Sequence, residues 1–413
     1  MEQGLKKTFS IESEQRRGLQ GKFRDLLLKD VVPFWQRHGI DWKDGGVLTC
    51  IGDDGSLLGT DKFIWSQARS VWTFSALYNR VEQRDDFLRA AENSVRFLLA
   101  HGRDSLGRWV YHTDRAGNVL EGATSIYSDC FAVYGLSEYF RARPDPQVLA
   151  VARETFERTR RRIEEPDFQE TAPYLLPRGW RNHGVPMILA EVSSEFAQTT
   201  GDPGLEAAAD EYVGRVMDHF VRPDRKVVLE FLTRDYQELP APAGTFVMPG
   251  HAIECMWFVL HIAARRGDCE RIQRAAEVML WHLELGWDTE YGGIYLSRDV
   301  EGHRPYLPHS EMKVWWPHTE AMYGTLLAFH LTGRTEFLDW FEKVSQWAWE
   351  HFPVPTGEWR QRLTRDGKPS TEIVALPVKD PFHLPRATIL ILQLLEKMEK
   401  GTTAGRGASD ESS

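Results

Sequence analysis

The chain has 413 residues, 42% hydrophobic and 27% charged, with a formal net charge of −10 at pH 7. That is a globular balance, long enough for one large core, and its sign argues against nucleic acid or an anionic membrane as the main partner. Cys50, Cys130, Cys255 and Cys269 form no CxxC pair, no apolar run approaches the ~18 residues of a membrane span, and the opening MEQGLKKTFSIESEQRR has no apolar signal core, so a cytoplasmic setting is expected.

Helical patterns dominate. Over 12–38, Leu19, Phe23, Leu26, Leu27, Val31 and Trp35 recur at close to helical spacing. Five short extended pieces follow, each with a polar turn: 45–57, 107–120, 227–239, 292–303 and 358–369. Their turn centres, near Asp54, Ala116, Asp235, Val300 and Asp366, fall roughly 60–66 residues apart with one interval skipped. The skip lands on RGWRNHG at 178–184, read as an exposed loop whose Arg181 and His183 could close over an opening or bind an anion. The spacing predicts about six helical pairs. Pairs of helices bury their apolar faces only by stacking, in an open array or in a closed ring. The aromatic content favours the ring, an all-α (α/α)6 barrel with short β-hairpin connections and a cavity inside. One domain over 1–400 is expected, followed by a disordered polar tail at 401–413.

Along this frame several residues could carry chemistry. Arg69 shares one helical side with Trp65 and Trp72, either as a structural arginine stacked on Trp or as a partner for an anion or carbonyl oxygen. Asp129 suits an N-cap. His251 follows Pro-Gly at the start of an apolar helix, with Glu254 three positions on, where a carboxylate would fix the tautomer of an imidazole. A metal site is the competing reading of that pair, but HExxH is absent. The stretch 308–323, PHSEMKVWWPHTEAMY, gathers Glu311, Lys313, Trp315, Trp316, His318 and Glu320. Pro317 fits the first turn of a helix, placing His318 and Glu320 at its N-terminal end, and the tryptophans offer flat faces for a sugar ring. His318 reads equally as a satisfied buried histidine. His383 lies in PFHLPRA with Arg386 three positions on, and Pro385 suggests a loop that presents His383 to a cavity. A glycosidase would need two opposed carboxylates, for which Glu254 and Glu320 are the available pair.

Taken together, DGGVLTCIGDDGS, TDKFIWSQARSVWTFSALYN, YSDCFAVYGLSEYF, VPMIL, PGHAIECMWF, GWDTEYGGIYLSRD, KVWWPHTEAMYGTLLAF and PFHLPRA, in this order over about 15–395, resemble the N-acylglucosamine 2-epimerase family, also known through its renin-binding member. The resemblance implies an (α/α)6 barrel, a homodimer, and action on a reducing sugar without a metal or redox cofactor. It matches family function residues at Arg69, His251, Glu320 and His383. Glu254, Lys313, Trp315, Trp316, His318 and Arg386 fall in the same motifs as candidate substrate contacts. Some family members are activated by a nucleotide; RGWRNHG matches no nucleotide-contact pattern, so ATP activation stays an open expectation.

The implied reaction interconverts N-acetylglucosamine and N-acetylmannosamine through an enediolate, with His251 and His383 as the acid–base pair and Arg69 on the carbonyl oxygen. An aldose–ketose isomerase of the mannose type, a cellobiose 2-epimerase and a non-catalytic protein-binding member are the alternatives on the same scaffold.

Overall fold

The computed structural model describes residues 8–169, 176–374 and 376–407, with 401–407 as backbone only. The first helix, α1 (Ser13–Asp25), continues through wider π-type turns at Leu26–Val31 and Trp35–Gly39 that flank the short α2 (Val32–Phe34). Pro33 lies between those turns and has no N–H to give to a regular ladder.

Helices then alternate between two layers. The inner layer is α3 (Ile64–Arg80), α5 (Ile126–Ala142), α7 (Gly184–Thr200), α9 (Pro249–Arg266), α11 (Trp315–Thr332) and α13 (His383–Gly407). Between them, on the outside, run α4 (Asp85–His101), α6 (Pro146–Arg162), α8 (Pro203–His219), α10 (Cys269–Gly286) and α12 (Glu336–His351). The layer of each helix is written in its sequence. In α11 every residue from Pro317 to Leu331 is buried, as a helix packed on all sides requires. In α12 only Phe337, Phe341, Val344, Trp347 and Ala348 are buried, one stripe at spacings of three and four.

Each inner helix packs on the next, and α13 returns to pack on α3, while α1 lies against α13 as the sixth outer helix. The ring is therefore closed, an (α/α)6 barrel. The anticipated boundary at 401 falls inside α13, and residues 408–413 of the anticipated tail lie outside the described residues.

The two ends of the ring differ. At the end where inner helices stop, the links are short. Gly201, Gly267 and Gly333 take the left-handed conformation that closes α7, α9 and α11. Asp202 and Asp268 then cap α8 and α10 by accepting backbone N–H bonds. At the other end the links are long and carry the short strands. Lys62–Phe63 pairs with His112–Thr113, which pairs with Val119–Glu121. Trp180–Asn182 pairs with Phe231–Thr233, and Lys313–Val314 with Arg362–Leu363. The stretch 178–184 is therefore not an exposed loop. Its strand is pinned by the partner hairpin, and His183 is buried, its N–H bonded to the Glu230 carbonyl.

A module repeats at this long end. Asp41 accepts two backbone N–H bonds from its own turn, binds Lys62 Nζ at 3.0 Å, and takes Arg115 from the next hairpin. Asp288 does the same with Lys313 Nζ at 3.0 Å and Arg365. Lys62 and Lys313 each sit two residues before an inner helix, and Gln67 and His318 sit at the fourth position of those helices. Gln67 Oε1 accepts the Val47 N–H, and His318 Nε2 accepts the Ile294 N–H. These four side chains hold the long links onto the inner helices.

Several histidines in the interior are confined to one protonation state. Burial pushes His318 and His261 down to about 3 and His282 to about 4, so the native protein keeps them neutral while an unfolded chain protonates them near 6.5. Because the unfolded state binds those protons first, stability is expected to fall as pH drops from 6.5 toward 3, before most carboxylates titrate. Denaturation midpoints measured across that window check this; a flat profile down to pH 4.5 contradicts it. Asp288→Ala strands the buried Lys313 charge and is expected to cost about 3–5 kcal/mol, read as a lowered denaturation midpoint.

Candidate active site

The inner helices all begin at the long-link end, and their first turns line one cavity of about 1450 Å³ counted to its open mouth. Arg69 comes from α3, Tyr127 and Phe131 from α5, Met187 and Ile188 from α7, His251 and Glu254 from α9, Trp315 and Trp316 from α11, and His383 from α13. Helix N-termini converging on one space favour negative charge there.

Two imidazoles face this cavity, each held by a different carboxylate. His251 Nδ1 lies 2.9 Å from Glu230 Oε1, and His383 Nδ1 lies 2.7 Å from Glu320 Oε1. Trp316 is their common neighbour, with ring centroids 5.2 Å from His251 and 5.5 Å from His383. Gly250 makes room for this contact, since a methyl there would lie 2.7 Å from the Trp316 ring.

The carboxylates behind the imidazoles differ in what balances them. Glu320 accepts from Arg386 at 2.8 Å and from Trp257 Nε1 at 2.9 Å as well as from His383. Arg386 also bonds Glu254, so one buried guanidinium spans both glutamates. Burial and the nearby Arg69 push His383 down to about 3, so it rests as a neutral base. Glu230 has no arginine. Burial opposes its charge, but His251 and His183 outweigh that and hold its carboxyl at about 2. The Glu230 carboxylate thus faces two imidazoles, His251 at 2.9 Å and His183 at 3.8 Å.

Arg69 is fixed from the other side. Its Nη1 bonds Asp380 at 2.8 Å, and its guanidinium stacks on Phe131, Trp65 and Phe382 at 4.0, 4.5 and 4.7 Å. The two readings of Arg69 are thus both met: it is stacked on aromatic rings, and it reaches the cavity.

The structure brings together Arg69, His251, Glu254, Trp315, Trp316 and His383 at the cavity wall, with Glu320 and Arg386 buried directly behind it. Other candidates lie elsewhere. Lys313 is buried on Asp288, beneath the wall. His318 is fully buried, with Nδ1 donating to the Val314 carbonyl and Nε2 accepting from Ile294, which is the satisfied histidine. Glu254 is the partner of Arg386 and does not hold His251, because helical spacing alone could not show that Glu230 arrives from another repeat. His383 opens α13, and Pro385 sits in its first turn, where a missing N–H is harmless, so no loop is needed. Asp129 lies inside the first turn of α5, not at its cap; it is buried 3.4 Å from Arg162. Arg181 donates to the Arg234 carbonyl, away from the cavity. Glu230 and Asp380 are functional candidates that the motif reading missed. Glu230 had a signal, a lone carboxylate inside the apolar run Val227–Leu232.

Glu254, Glu320 and His383 also place their ligand atoms within 4.8 Å of one another, the spacing of a metal site. Arg386 already bonds both carboxylates, and His383 Nδ1 is committed to Glu320, so those donor atoms are engaged. The same arrangement removes the glycosidase geometry. Two carboxylates tied to one guanidinium cannot flank a glycosidic bond as separate acid and base.

Comparison with known proteins shows the family. The family model for N-acylglucosamine 2-epimerase (GlcNAc 2-epimerase) matches residues 46–387. The chain is 31% identical over 381 residues to N-acylglucosamine 2-epimerase of Bos taurus, covering 90% of each chain. It is 26% identical to cellobiose 2-epimerase of Bacteroides fragilis, covering 91% of this chain and 98% of that one. Among solved structures, cellobiose 2-epimerase from Spirochaeta thermophila superposes with a TM-score of 0.81 at 22% identity, covering 94% of this chain and 98% of that chain.

Glu230→Gln keeps the size of the side chain but removes the charge behind His251. It is expected to lower kcat by about 10²–10³-fold and leave the fold intact, checked by sugar turnover beside circular dichroism. Turnover within twofold of wild type contradicts the arrangement.

Proposed function

The chain belongs to the N-acylglucosamine 2-epimerase family, and from that premise we propose that it is a sugar 2-epimerase interconverting N-acetylglucosamine and N-acetylmannosamine. The observation that supports this most is the pair of imidazoles on α9 and α13, each anchored through Nδ1 to its own buried carboxylate, with Trp316 against both. Anchoring Nδ1 makes Nε2 the nitrogen that trades protons.

In the open-chain sugar the hydrogen on carbon 2 is acidic because the adjacent carbonyl accepts the electron pair. Neutral His383 takes that proton, and the C–H electrons form the carbon 1–carbon 2 double bond of an enolate, which is an enediolate where carbon 2 carries a hydroxyl. The negative charge collects on the carbonyl oxygen, where Arg69 and the inner-helix N-termini stabilise it. His251 in its protonated form, oriented by Glu230, returns a proton to the opposite face of carbon 2, and the carbonyl re-forms. The reverse epimer uses the same groups with the roles exchanged. Trp316 and Trp315 give the sugar flat apolar faces. Glu254, Glu320 and Arg386 act through the imidazole and the wall, not on the sugar directly. No metal or redox group takes part in this scheme. The same reading carries a cytoplasmic homodimer, with any ATP effect acting away from these groups.

Proton NMR of the purified protein with N-acetylmannosamine in heavy water, with mannose and cellobiose in parallel, tests the reading. N-acetylglucosamine carrying deuterium at carbon 2 is the expected product. A ketose product would instead show the proton returning to carbon 1, as in an aldose–ketose isomerase. No exchange with N-acetylmannosamine, but exchange with cellobiose, would move the substrate to the disaccharide.

A further inference from the structure

Arg362 is a cation at the cavity wall for which the scheme above has no use. Arg69 is held by Asp380, and Arg386 is buried on Glu254 and Glu320. Arg362 lies on the short strand after α12, opposite Val314, and lines the cavity with Val374, Leu376 and Val378. Its Nη2 donates to the Leu376 carbonyl at 3.0 Å. Among the described residues it forms no ion pair, and no protein acceptor takes Nε or Nη1. Asp53, the carboxylate whose field reaches it, is itself bonded to Lys379 at 2.9 Å.

A guanidinium offers five N–H donors in a rigid fork matched to oxyanions. Arg362 is half-buried at the cavity wall, so an oxyanion in the cavity could pair with donors that no protein group takes. The Leu376 contact alone would suit a structural tether for the segment before α13, but a tether does not require the remaining donors to face the cavity.

We propose that Arg362 is a subsite for an anionic group on the sugar at the end remote from carbons 1 and 2, a phosphate ester in particular. The subsite rests on the epimerase reading, because that reading places carbons 1 and 2 between His251 and His383. Arg362 lines the same open-mouthed cavity as His251 and His383. The supplying reaction would then be a phosphoryl transfer to the sugar, and the consuming reaction would act on the phosphorylated epimer.

Two measurements test it together, each on wild type and Arg362→Gln. Calorimetry compares glucitol 6-phosphate with glucitol, neither of which has a carbonyl to react. Turnover compares N-acetylmannosamine with its 6-phosphate. Wild type is expected to bind the phosphate form at least about tenfold tighter and to show a similar preference in kcat/KM, and R362Q to bring both ratios to within about twofold of one. Equal binding of the two glucitols by wild type overturns the proposal. So does a phosphate preference that survives in R362Q, or an equal loss for charged and neutral ligands, which would mean that Arg362 serves a neutral oxygen. The two readings fail separately. Phosphate-dependent binding without turnover of either sugar would sink the epimerase reading and leave the subsite, whereas turnover of both sugars with equal binding would do the reverse.

Discussion

Arg386 is the constraint on which the rest of this site depends. It rises from the first turn of α13 and is 1% exposed, yet it carries a full charge. It can do so only because Glu254 of α9 and Glu320 of α11 meet it there. Removing Arg386 would leave two unpaired carboxylates in the core, costing about 3–5 kcal/mol, so the triad locks three inner helices in register. His383 takes its orientation from the same Glu320 oxygen that Arg386 binds. The position of the base is thus tied to the closure of the ring.

The other imidazole is arranged differently, and the difference matters for chemistry. Glu230 lies between the short strands Val227–Val228 and Phe231–Thr233; its backbone carbonyl accepts the His183 N–H, and its carboxylate meets His251 at 2.9 Å and His183 at 3.8 Å. No arginine shares that charge. The two carboxylates are therefore balanced differently, Glu320 by a guanidinium and an imidazole, Glu230 by imidazoles alone. An acid and a base are needed at once, so this asymmetry makes the pair useful. The asymmetry of the barrel ends serves the same purpose. Tight Gly–Asp links leave no room for a site, whereas the long links, pinned by Asp41–Lys62 and Asp288–Lys313, leave an open mouth over the converging helix N-termini.

Much of this was legible in the sequence, for physical reasons. The 60-residue spacing of turns and the contrast between all-round apolar and one-sided helices specify paired layers, and the ring closure that completes them is seen in α13 packing on α3. His251, His383, Trp316 and Arg69 stood out because polar groups and tryptophans at the start of apolar helices have few structural excuses. Lys313 and His318 looked the same and were not. Their counterparts, Lys62 and Gln67, mark them as scaffold, a signal that required aligning the module and not reading the motif alone. The pairings of Glu230 and Asp380 were out of reach because their partners lie 21 and 311 residues away in sequence, although Glu230 stood out as a lone carboxylate in an apolar run.

The central claim, one histidine for each face of carbon 2, is tested most directly by following solvent deuterium into each epimer with His251→Asn and His383→Asn. The account predicts a split. His383→Asn loses exchange from one epimer but keeps it in the other, His251→Asn shows the mirror image, and neither inverts carbon 2 at an appreciable rate. Equal loss of exchange from both epimers in both variants, or continued epimerisation in either, would contradict it.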